Sequence, residues 1–261
     1  MTAQNSHKGI VFITGATSGI GWATAIKFAI MGFDIIITGR RIERLQLLTK
    51  DISQKYNVRV LALTMDIQNK DDIYNQIDSL QNNWKNISIL INNAGLAQGF
   101  TDILHANIEE WQTMLQTNFY GLLVLTKKIL PLMIDQGNGH IINVGSIAGM
   151  EVYPNGNVYC ATKHAVSAIT KALRIELLSH NIKVSSINPG YVETEFSQVR
   201  FGGDVQSAKK VYEGFVPLSP EDIAETIYFM ASRPDHVNIS DVLITPKAQA
   251  NTAHIFKSRL V

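Results

Sequence analysis

Cysteine is almost absent from this 261-residue sequence, and its scarcity excludes several kinds of protein. Cys160 stands alone, so no intrachain disulfide can form and nothing indicates an oxidising compartment. The seven histidines form no HExxH pattern and no cluster with cysteine, so we expect no metal site. The GxSxG motif of the α/β-hydrolases is missing too, which argues against a serine hydrolase.

Net charge and long apolar runs are also scarce. The formal charge is +1 and the basic residues are scattered, so neither nucleic acid nor an anionic membrane is an expected partner. The apolar stretch at residues 28–37 is too short to span a bilayer and contains Asp34. The first eight residues are polar and lack the apolar core of a signal peptide. We therefore expect a cytoplasmic protein.

Apolar residues make up 46% of the chain and occur in short runs between segments of helical periodicity. This alternation is typical of parallel βαβ units, whose strands are covered on both faces and therefore rich in Val, Ile and Leu. Pro131 is expected to disturb its predicted helix. The predicted strands are 10–14, 34–38, 58–64, 87–91, 140–146, 182–188 and 237–245, and the predicted helices are 19–32, 41–56, 69–84, 108–136, 157–180 and one beginning near 219.

No repeat, low-complexity tract or shift in composition marks a domain boundary. Residues 1–261 are therefore expected to form a single dinucleotide-binding and catalytic domain. Residues 190–218 are the least regular part and are rich in glycine, proline and charge. A segment of that length inside a compact domain is more typical of an ordered cover over a site than of a connector. We call residues 190–218 the flap.

Tyr159 and Lys163 are four residues apart on a predicted helix, and Ser146 precedes the tyrosine by thirteen residues. The four-residue spacing places the phenol and the ammonium on one helix face. A nearby positive charge favours phenolate and lowers the tyrosine pKa from its usual value near ~10, which suits proton transfer. With a hydroxyl from Ser146 to hold a carbonyl oxygen, these residues predict the proton-donating half of a carbonyl reductase. The alternative is a solvated helix face beside an ordinary turn serine.

The sequence TGATSGIG at residues 14–21 lies between the first predicted strand and the first predicted helix. Its three glycines would let the backbone turn tightly and approach a phosphate at the helix N-terminus. The spacing is TGxxxGxG rather than GxGxxG, and an ordinary glycine-rich turn is the alternative. The position after the first strand favours nucleotide binding.

Arg40 and Arg41 follow the second predicted strand. A fold that prefers NAD usually places an acidic residue here for the ribose 2′-hydroxyl. Two guanidinium groups favour NADP(H) instead, because arginine pairs with phosphate dianions and can stack on adenine. In the alternative, both arginines begin a solvated helix beside Glu43 and Arg44.

Together these motifs resemble the short-chain dehydrogenase/reductase superfamily, over nearly the whole chain and in the family's order. The resemblance implies an α/β fold of the doubly wound Rossmann type, with helices on both faces of a seven-stranded parallel sheet in the order 3-2-1-4-5-6-7. It also implies a nicotinamide dinucleotide at the strand ends and a homotetramer. The residues that carry it are TGATSGIG, NNAG at 92–95, Asn118, Ser146, Tyr159, Lys163 and Asn188-Pro-Gly190.

The resemblance implies roles for four catalytic residues. Ser146 would position the carbonyl and Tyr159 would exchange the proton, while Lys163 would hold the nicotinamide ribose and acidify Tyr159. Asn118 would open its helix locally and bind a water that contacts Lys163. The alternative for Asn118 is an exposed helix asparagine.

The resemblance also implies cofactor contacts at several strand ends. Asp66 would hydrogen-bond the adenine amino group with Ile67 beside it, although an aspartate there could instead cap the helix near Asn69. The full predicted set is Gly15, Ala16, Thr17, Ser18, Gly19, Ile20, Gly21, Arg40, Arg41, Asp66, Ile67, Asn93, Ala94, Gly95, Tyr159, Lys163, Pro189, Gly190, Val192 and Thr194.

A narrower resemblance concerns the substrate. Strings at 39–45, 92–99, 156–163, 192–204 and 234–250 resemble the NADP-dependent 3-hydroxy acid dehydrogenases, which oxidise serine, allo-threonine and other short 3-hydroxy acids and reduce malonic semialdehyde. Such a substrate carries a carboxylate and needs a cationic or hydrogen-bonding partner.

Arg200, within the flap, is the candidate partner of that carboxylate, with Gln98 as a weaker candidate for lining the pocket. In the alternative, Arg200 pairs with Glu193, Glu195 or Asp204 and orders the flap.

Two other functions stay open at this point. One is an NADPH-dependent carbonyl reductase for dicarbonyls, 3-oxoacyl thioesters or polyols, although the neutral charge shows no basic patch for docking an acyl carrier. The other is a protein that senses NADP without turnover. Retention of all four catalytic matches disfavours the second.

Overall fold

The computed structural model of the chain describes residues 8–258; the ends of the predicted domain, 1–7 and 259–261, including most of the polar N-terminal segment, lie outside them. Its strands form one parallel sheet in the order β3-β2-β1-β4-β5-β6-β7. The fold class and strand order implied by the resemblance are thus confirmed. The strands are β1 Ile10–Ile13, β2 Asp34–Gly39, β3 Val60–Thr64, β4 Ile87–Asn92, β5 Gly139–Val144, β6 Ile182–Pro189 and β7 Asp241–Ile244.

Helices connect the strands, and the first of them begins directly after the glycine-rich turn. None of the described helices is long and apolar enough to cross a membrane. The α-helices are α1 Gly19–Ile30, α2 Ile42–Lys55, α3 Lys70–Asp78, α4 Ile108–Leu115, α5 Gly121–Gln136, α6 Asn157–Glu176, α7 Phe196–Arg200, α8 Val205–Lys210 and α9 Pro220–Ala231.

The sheet separates two helical layers because side chains alternate along each strand. In β1, Phe12 is buried in the core that α3, α5 and α6 share with the sheet. Its neighbours Val11 and Ile13 are buried in the opposite core, against α1, α2 and α9. With both faces covered, the strand ends become the place where polar side chains can meet a ligand.

The helix around Pro131 differs from the prediction. The expected disturbance at Pro131 is wrong, since α5 continues through it. Proline has no backbone N–H, so the Lys127 carbonyl lacks its usual helical hydrogen bond. Both residues are exposed, so water can hydrogen-bond to that carbonyl instead. The irregularity lies earlier, where Gln116–Tyr120 forms a π-helical turn between α4 and α5.

Several elements are shorter than the sequence pattern predicted. The predicted helix 69–84 ends at Asp78, yet Leu80 and Trp84 beyond it are buried. The apolar periodicity therefore continues where the helical backbone does not. The predicted seventh strand, 237–245, is shorter in the structure, where β7 is Asp241–Ile244. The reason is that Asn238 reaches the Val184 carbonyl with its side chain rather than with its backbone, at 3.1 Å.

Two further elements are also shorter than predicted. The predicted helix 157–180 ends at Glu176 and continues as a 3₁₀ turn at Leu178–His180. The third strand begins at Val60 rather than at residue 58.

Candidate active site

A crevice of about 730 Å³ opens at the carboxyl ends of the strands, which is within the usual size range of ligand pockets. Every sequence-predicted site residue lines it except four. Ala16, Gly21 and Asn118 lie just behind its wall, and Gln98 lines a separate small cavity. The structure therefore brings together the glycine-rich loop, the arginines after β2 and the Ser-Tyr-Lys group.

The glycine-rich loop has the geometry that close approach of a phosphate requires. Gly15 and Gly19 have φ values of +66° and +53°, a region that other residues avoid. A Cβ at Gly21 would lie 2.4 Å from the Gly15 carbonyl oxygen, so no side chain fits there. Buried Ala16 donates its amide to the Thr38 carbonyl, at 3.0 Å, and fixes the turn against β2. The loop thus fits the pyrophosphate of a dinucleotide at the start of α1.

The loop after β4 braces the glycine-rich loop. Asn93 donates from its side chain to the carbonyls of Thr14 and Gly15, at 2.9 and 3.2 Å. The Thr14 hydroxyl accepts from the amides of Asn93 and Ala94, both at 2.9 Å. Asn92 bridges to Asn143 on β5 at 2.9 Å. These bonds join the ends of three strands and hold the crevice floor rigid.

Asp66 lies at the crevice wall beside Ile67. Its carboxylate accepts from the Gln68 amide at 3.0 Å and does not cap α3. The cap is Asn69, which accepts from the amides of Asp71 and Asp72. The helix-capping alternative for Asp66 is therefore wrong, and its carboxylate is placed where an adenine amino group could donate to it.

The two arginines after β2 differ in their contacts. Arg41 turns back toward the glycine-rich loop and donates to the hydroxyls of Thr17 and Ser18, each at 2.8 Å from Nη2. Arg40 is exposed and lines the crevice beside it. A cationic fork next to two hydroxyls fits a ribose 2′-phosphate. Arg41 therefore does more than begin a solvated helix.

Ser146, Tyr159 and Lys163 meet at the centre of the crevice. The Ser146 side chain hydrogen-bonds to Tyr159. Lys163 Nζ lies 6.0 Å from the centre of the Tyr159 ring and donates to the Val144 carbonyl at 3.0 Å. Tyr159 and Lys163 are buried, one helical turn apart on α6, so the solvated-face alternative is wrong.

The pKa values in this group follow from burial. Burial raises the pKa of Tyr159, and the hydrogen bond from Ser146 and the charge of Arg200 offset only part of that rise. Burial lowers the pKa of Lys163 from 10.5 to about 8. The expectation that Lys163 lowers the Tyr159 pKa is therefore not met in the chain alone, where the acidifying charge belongs to Arg200.

Asn118 sits in the π-helical turn with its side chain buried rather than exposed, so the exposed-asparagine alternative is wrong. Its carboxamide exchanges two hydrogen bonds with the Leu96 backbone, both 2.8 Å, and donates to the Thr162 hydroxyl at 3.1 Å. A Cβ at Gly95 would lie 3.3 Å from Asn118 Oδ1 and 3.5 Å from Lys163 Nζ. The opened helix thus aims the Asn118 oxygen toward the space beside Lys163.

Arg200 lies at the end of α7 in a cage of aromatic rings. Its guanidinium carbon is 5.1 Å from the Phe100 ring centre and 5.3 Å from those of Tyr153 and Tyr159. It donates to the Tyr153 hydroxyl, and its Nε is buried without a partner. Gln98 lines the small cavity behind this cage rather than the main crevice.

The alternative in which Arg200 pairs with a flap carboxylate is not what the described residues show. Glu195 pairs with Arg41 at 2.7 Å and with Arg44 at 3.5 Å. Asp204 caps α8 by accepting from the Gln206 and Ser207 amides. Arg200 therefore keeps donor capacity for a ligand.

Sequence reasoning missed many of the residues that line the crevice, and three of them matter most for the site. Tyr153 holds Arg200, and Phe196 packs edge-on against Tyr159 with ring centres 5.6 Å apart. Gln249 is buried and accepts from the Tyr191 amide at 3.0 Å. A Cβ at Gly190 would lie 2.1 Å from Gln249 Oε1, so the glycine leaves room for this side chain. The available signals were that Phe196 lies within the string 192–204 and Gln249 within the string 234–250.

No group of three or more His, Cys, Asp or Glu side chains able to hold a metal occurs among residues 8–258.

The depressed pKa of Lys163 predicts a distinct dependence of stability on pH. Between about pH 8 and pH 10.5 Lys163 binds a proton in the unfolded chain but not in the folded chain, so this residue contributes a rise of the unfolding free energy with pH of up to about 3 kcal/mol. Below about pH 8 the cost of burying the ammonium is fully present. Lys163→Met should remove this rise. Urea unfolding at several pH values measures it, and parallel curves for both proteins would contradict the prediction.

Comparison with known proteins places this geometry in a family. Residues 9–202 match the family described as short chain dehydrogenase. The chain is 42% identical over 250 residues to an NADP-dependent 3-hydroxy acid dehydrogenase of Schizosaccharomyces pombe, covering 95% of this chain and 96% of the relative. It is 41% identical over 244 residues to a sulfoacetaldehyde reductase of Chromohalobacter salexigens, covering 93% and 96%. The closed form of a serine dehydrogenase complexed with NADP+ superposes with a TM-score of 0.90 at 41% identity, covering 96% of this chain and 99% of that one.

Proposed function

Because the chain belongs to the short chain dehydrogenase family and is an NADP(H)-dependent oxidoreductase, we propose that it interconverts short 3-hydroxy acids and their 3-oxo acids. The candidate substrates are serine, allo-threonine and 3-hydroxypropionate. The related dehydrogenases named above support the substrate class.

The observation that carries the proposal is the position of Arg200 beside the proton-exchanging group. Its guanidinium carbon is 5.3 Å from the centre of the Tyr159 ring, inside a largely apolar cage. A substrate whose hydroxyl reaches Tyr159 therefore meets a fixed cation only a few bonds away. A short 3-hydroxy acid has its carboxylate at that separation. The Arg200 guanidinium uses Nη2 to hold the Tyr153 hydroxyl and keeps further donors for that carboxylate.

The second support is the polar rim of the same pocket. Tyr153 orients Arg200 with its hydroxyl, and Gln249 lines the same crevice. Gln249 donates to the Asn251 carbonyl at 3.2 Å and so is fixed in place. A carboxylate bound by both Arg200 and Gln249 would be held by planar, preoriented donors, which favours a short acid over a neutral alcohol.

The cofactor contacts are proposed residue by residue. The glycine-rich loop would hold the pyrophosphate and Arg40 and Arg41 the 2′-phosphate. Asp66 would accept from the adenine amino group. Pro189, Gly190, Val192 and Thr194 would contact the nicotinamide carboxamide and the pyrophosphate. When bound, NADP(H) supplies or accepts the hydride at the substrate carbon.

The chain's own residues handle the substrate oxygen. Ser146 and Tyr159 hold it with their hydroxyls, and Tyr159 gives its proton to the oxygen during reduction or takes one during oxidation. Lys163 would hold the nicotinamide ribose, and its bond to the Val144 carbonyl keeps its amine in place. Phe196 covers the ring of Tyr159 and excludes water, which strengthens each of these electrostatic contacts.

The raised pKa of Tyr159 predicts how the two directions depend on pH. A phenol that stays protonated at neutral pH is ready to donate, so reduction should be fast near neutrality and slow down in alkali. Oxidation should become faster as pH rises, because the phenolate is then populated. Initial rates in both directions across a pH series measure this. Oxidation that is fastest below neutrality would contradict the assignment.

A second candidate function is reduction of a short aldehyde that carries a sulfonate. The same cage supports it, because Arg200 and its polar neighbours would hold any small anion beside Tyr159. Uncharged dicarbonyls, polyols and 3-oxoacyl thioesters have no anionic group at this position for Arg200 to bind, so they are weaker alternatives. A sensor without turnover is weaker still, since Ser146, Tyr159 and Lys163 are assembled.

One spectrophotometric panel tests the proposed substrate class. NADP+ reduction is followed with serine, allo-threonine, 3-hydroxypropionate and 3-hydroxyisobutyrate, and NADPH oxidation with sulfoacetaldehyde, dicarbonyls and acetoacetyl thioesters. We expect turnover of at least one 3-hydroxy acid at a rate above those of the uncharged compounds. No measurable turnover of any 3-hydroxy acid, together with fast turnover of one of the other compounds, would overturn the proposal.

The organisation of the protein is proposed on the resemblance and on the sequence pattern. We assign residues 1–261 to one domain, residues 190–218 to a substrate flap within it, and the protein to a cytoplasmic homotetramer. Light scattering tests the tetramer against the 28.9 kDa mass of a single chain.

A further inference from the structure

Glu195 occupies a position between the cofactor end and the substrate end of the crevice. It lies in the flap directly before α7, and its carboxylate pairs with Arg41 at 2.7 Å and with Arg44 at 3.5 Å. These arginines belong to the segment after β2, far from α7 in sequence. An ion pair therefore ties the start of the flap to the proposed site of the 2′-phosphate.

Arg41 uses different nitrogens of its guanidinium to contact the glycine-rich loop and Glu195. Nε and Nη2 point to the hydroxyls of Thr17 and Ser18, at 2.8 to 3.1 Å, while Nη1 points to Glu195. The Nε–Nη2 edge carries two parallel N–H groups and can bind a phosphate bidentately. A phosphate on that edge leaves Nη1 free to keep its bond to Glu195. The Thr17 hydroxyl can rotate to donate to the phosphate, while the Ser18 hydroxyl keeps its hydrogen bond to Glu195.

The charges allow phosphate and carboxylate to coexist. Arg40, Arg41 and Arg44 bring three positive charges to this corner, against one carboxylate and a phosphate of about two negative charges. Burial raises the pKa of Glu195, but its hydrogen bond and charge contact with Arg41 outweigh this, so the pKa lies below its usual range. The carboxylate is thus ionised and balanced.

Helix α7 connects this corner to the substrate pocket. It is five residues long, begins at Phe196, which packs on Tyr159, and ends at Arg200. Thr194 rests against the glycine-rich loop, where a Cβ at Gly19 would lie 3.1 Å from its methyl group. A shift at Glu195 therefore moves both the cover of the proton donor and the cation of the cage.

We propose that Glu195 is a positioning residue that couples the cofactor's 2′-phosphate to Arg200, so that NADP+ orders the anion site better than NAD+ does. The coupling rests on the proposed function. A phosphate on Arg41 immobilises a side chain that is otherwise 44% exposed. Glu195 then loses less conformational entropy when it pairs with Arg41, and so does α7, which follows it in the chain.

The test compares wild type with Glu195→Gln. In wild type, 3-hydroxypropionate should show a KM about fivefold lower with saturating NADP+ than with saturating NAD+, the lower end of typical coupling because the ion pair is half-exposed. In Glu195→Gln the two KM values should be equal. Calorimetry should show NADP+ binding to the variant as tightly as to wild type or tighter, since a negative charge beside the phosphate is gone.

The matched control is Glu193→Gln, which removes the same charge from an exposed flap position two residues earlier. It should keep the fivefold difference. General damage to the flap would instead raise the KM values with both cofactors and weaken NADP+ binding. A Glu195→Gln protein that keeps the fivefold difference, or a wild type that lacks it, would overturn the proposal.

A readout without turnover separates this inference from the proposed function. Hydrogen exchange at residues 190–218 should slow more with adenosine 2′,5′-bisphosphate than with AMP in wild type and in Glu193→Gln, and equally with both in Glu195→Gln. That result would support the coupling even if the substrate class were wrong. Equal slowing by both nucleotides in wild type would overturn it.

Discussion

Tyr159→Phe is expected to lower turnover by at least about 10³-fold, because positioned proton donors contribute on this scale. The hydroxyl is the only part removed, and the ring keeps its packing against Phe196. The binding of NADPH should stay within about twofold of wild type, since the cofactor contacts proposed above lie mostly on other residues. Steady-state rates and NADPH fluorescence titration measure the two quantities.

The control for this substitution is Tyr153→Phe in the same pocket. Tyr153 is a half-buried ring of the same cage, and its hydroxyl accepts from Arg200 and holds it. Loss of this hydroxyl should weaken the binding of a 3-hydroxy acid, seen as a several-fold higher KM, while leaving kcat nearly unchanged. Activity of Tyr159→Phe within tenfold of wild type, or equal kinetic profiles for the two variants, would refute Tyr159 as the proton donor.

Arg200→Met is expected to lower kcat/KM for 3-hydroxy acids by about 10²-fold, because truncating one partner of a buried charged hydrogen bond costs roughly 2–5 kcal/mol. Methionine keeps much of the apolar stem between the three rings, so the cage should stay packed. Uncharged carbonyls should be reduced at rates close to those of wild type. The ratio of kcat/KM values for acid and neutral substrates is the measurement.

Arg200→Lys distinguishes charge from geometry. A lysine retains the charge but loses the planar, stacked and multidentate contact, so an intermediate loss is expected. Equal losses on acidic and neutral substrates in both variants would show that Arg200 only supports the fold of the flap. Unchanged kinetics with the acids would remove it from the substrate site.

The sheet and much of the crevice could be predicted from the sequence because their signals are local. Short Ile- and Val-rich runs such as 10–14 and 34–38 are typical of buried parallel strands, and the structure places both inside the sheet, with a strand on either side. The glycine-rich loop, Ser146 and the Tyr159–Lys163 pair were found from spacing alone. Strand order came only from the resemblance, since no local pattern encodes it.

Other features depend on contacts that spacing does not show. Proline usually breaks a helix, but α5 continues through Pro131 because the carbonyl left without a partner there is exposed to water. The irregularity of the helical segment lies instead at Gln116–Tyr120, which contains neither proline nor glycine. Gln249 reaches Tyr191 across 58 positions of chain. The Tyr159 pKa is set mainly by burial, which a four-residue spacing to Lys163 cannot reveal.

The proposed function requires one pocket to hold the oxygen of a 3-hydroxy acid on Tyr159 and its carboxylate on Arg200. The decisive experiment is a crystal structure of the protein with NADP+ and 3-hydroxypropionate. We expect the substrate hydroxyl within hydrogen-bonding distance of both Tyr159 and Ser146, and the carboxylate on Arg200. A substrate whose carboxylate points away from Arg200, or whose hydroxyl does not reach Tyr159, would contradict it.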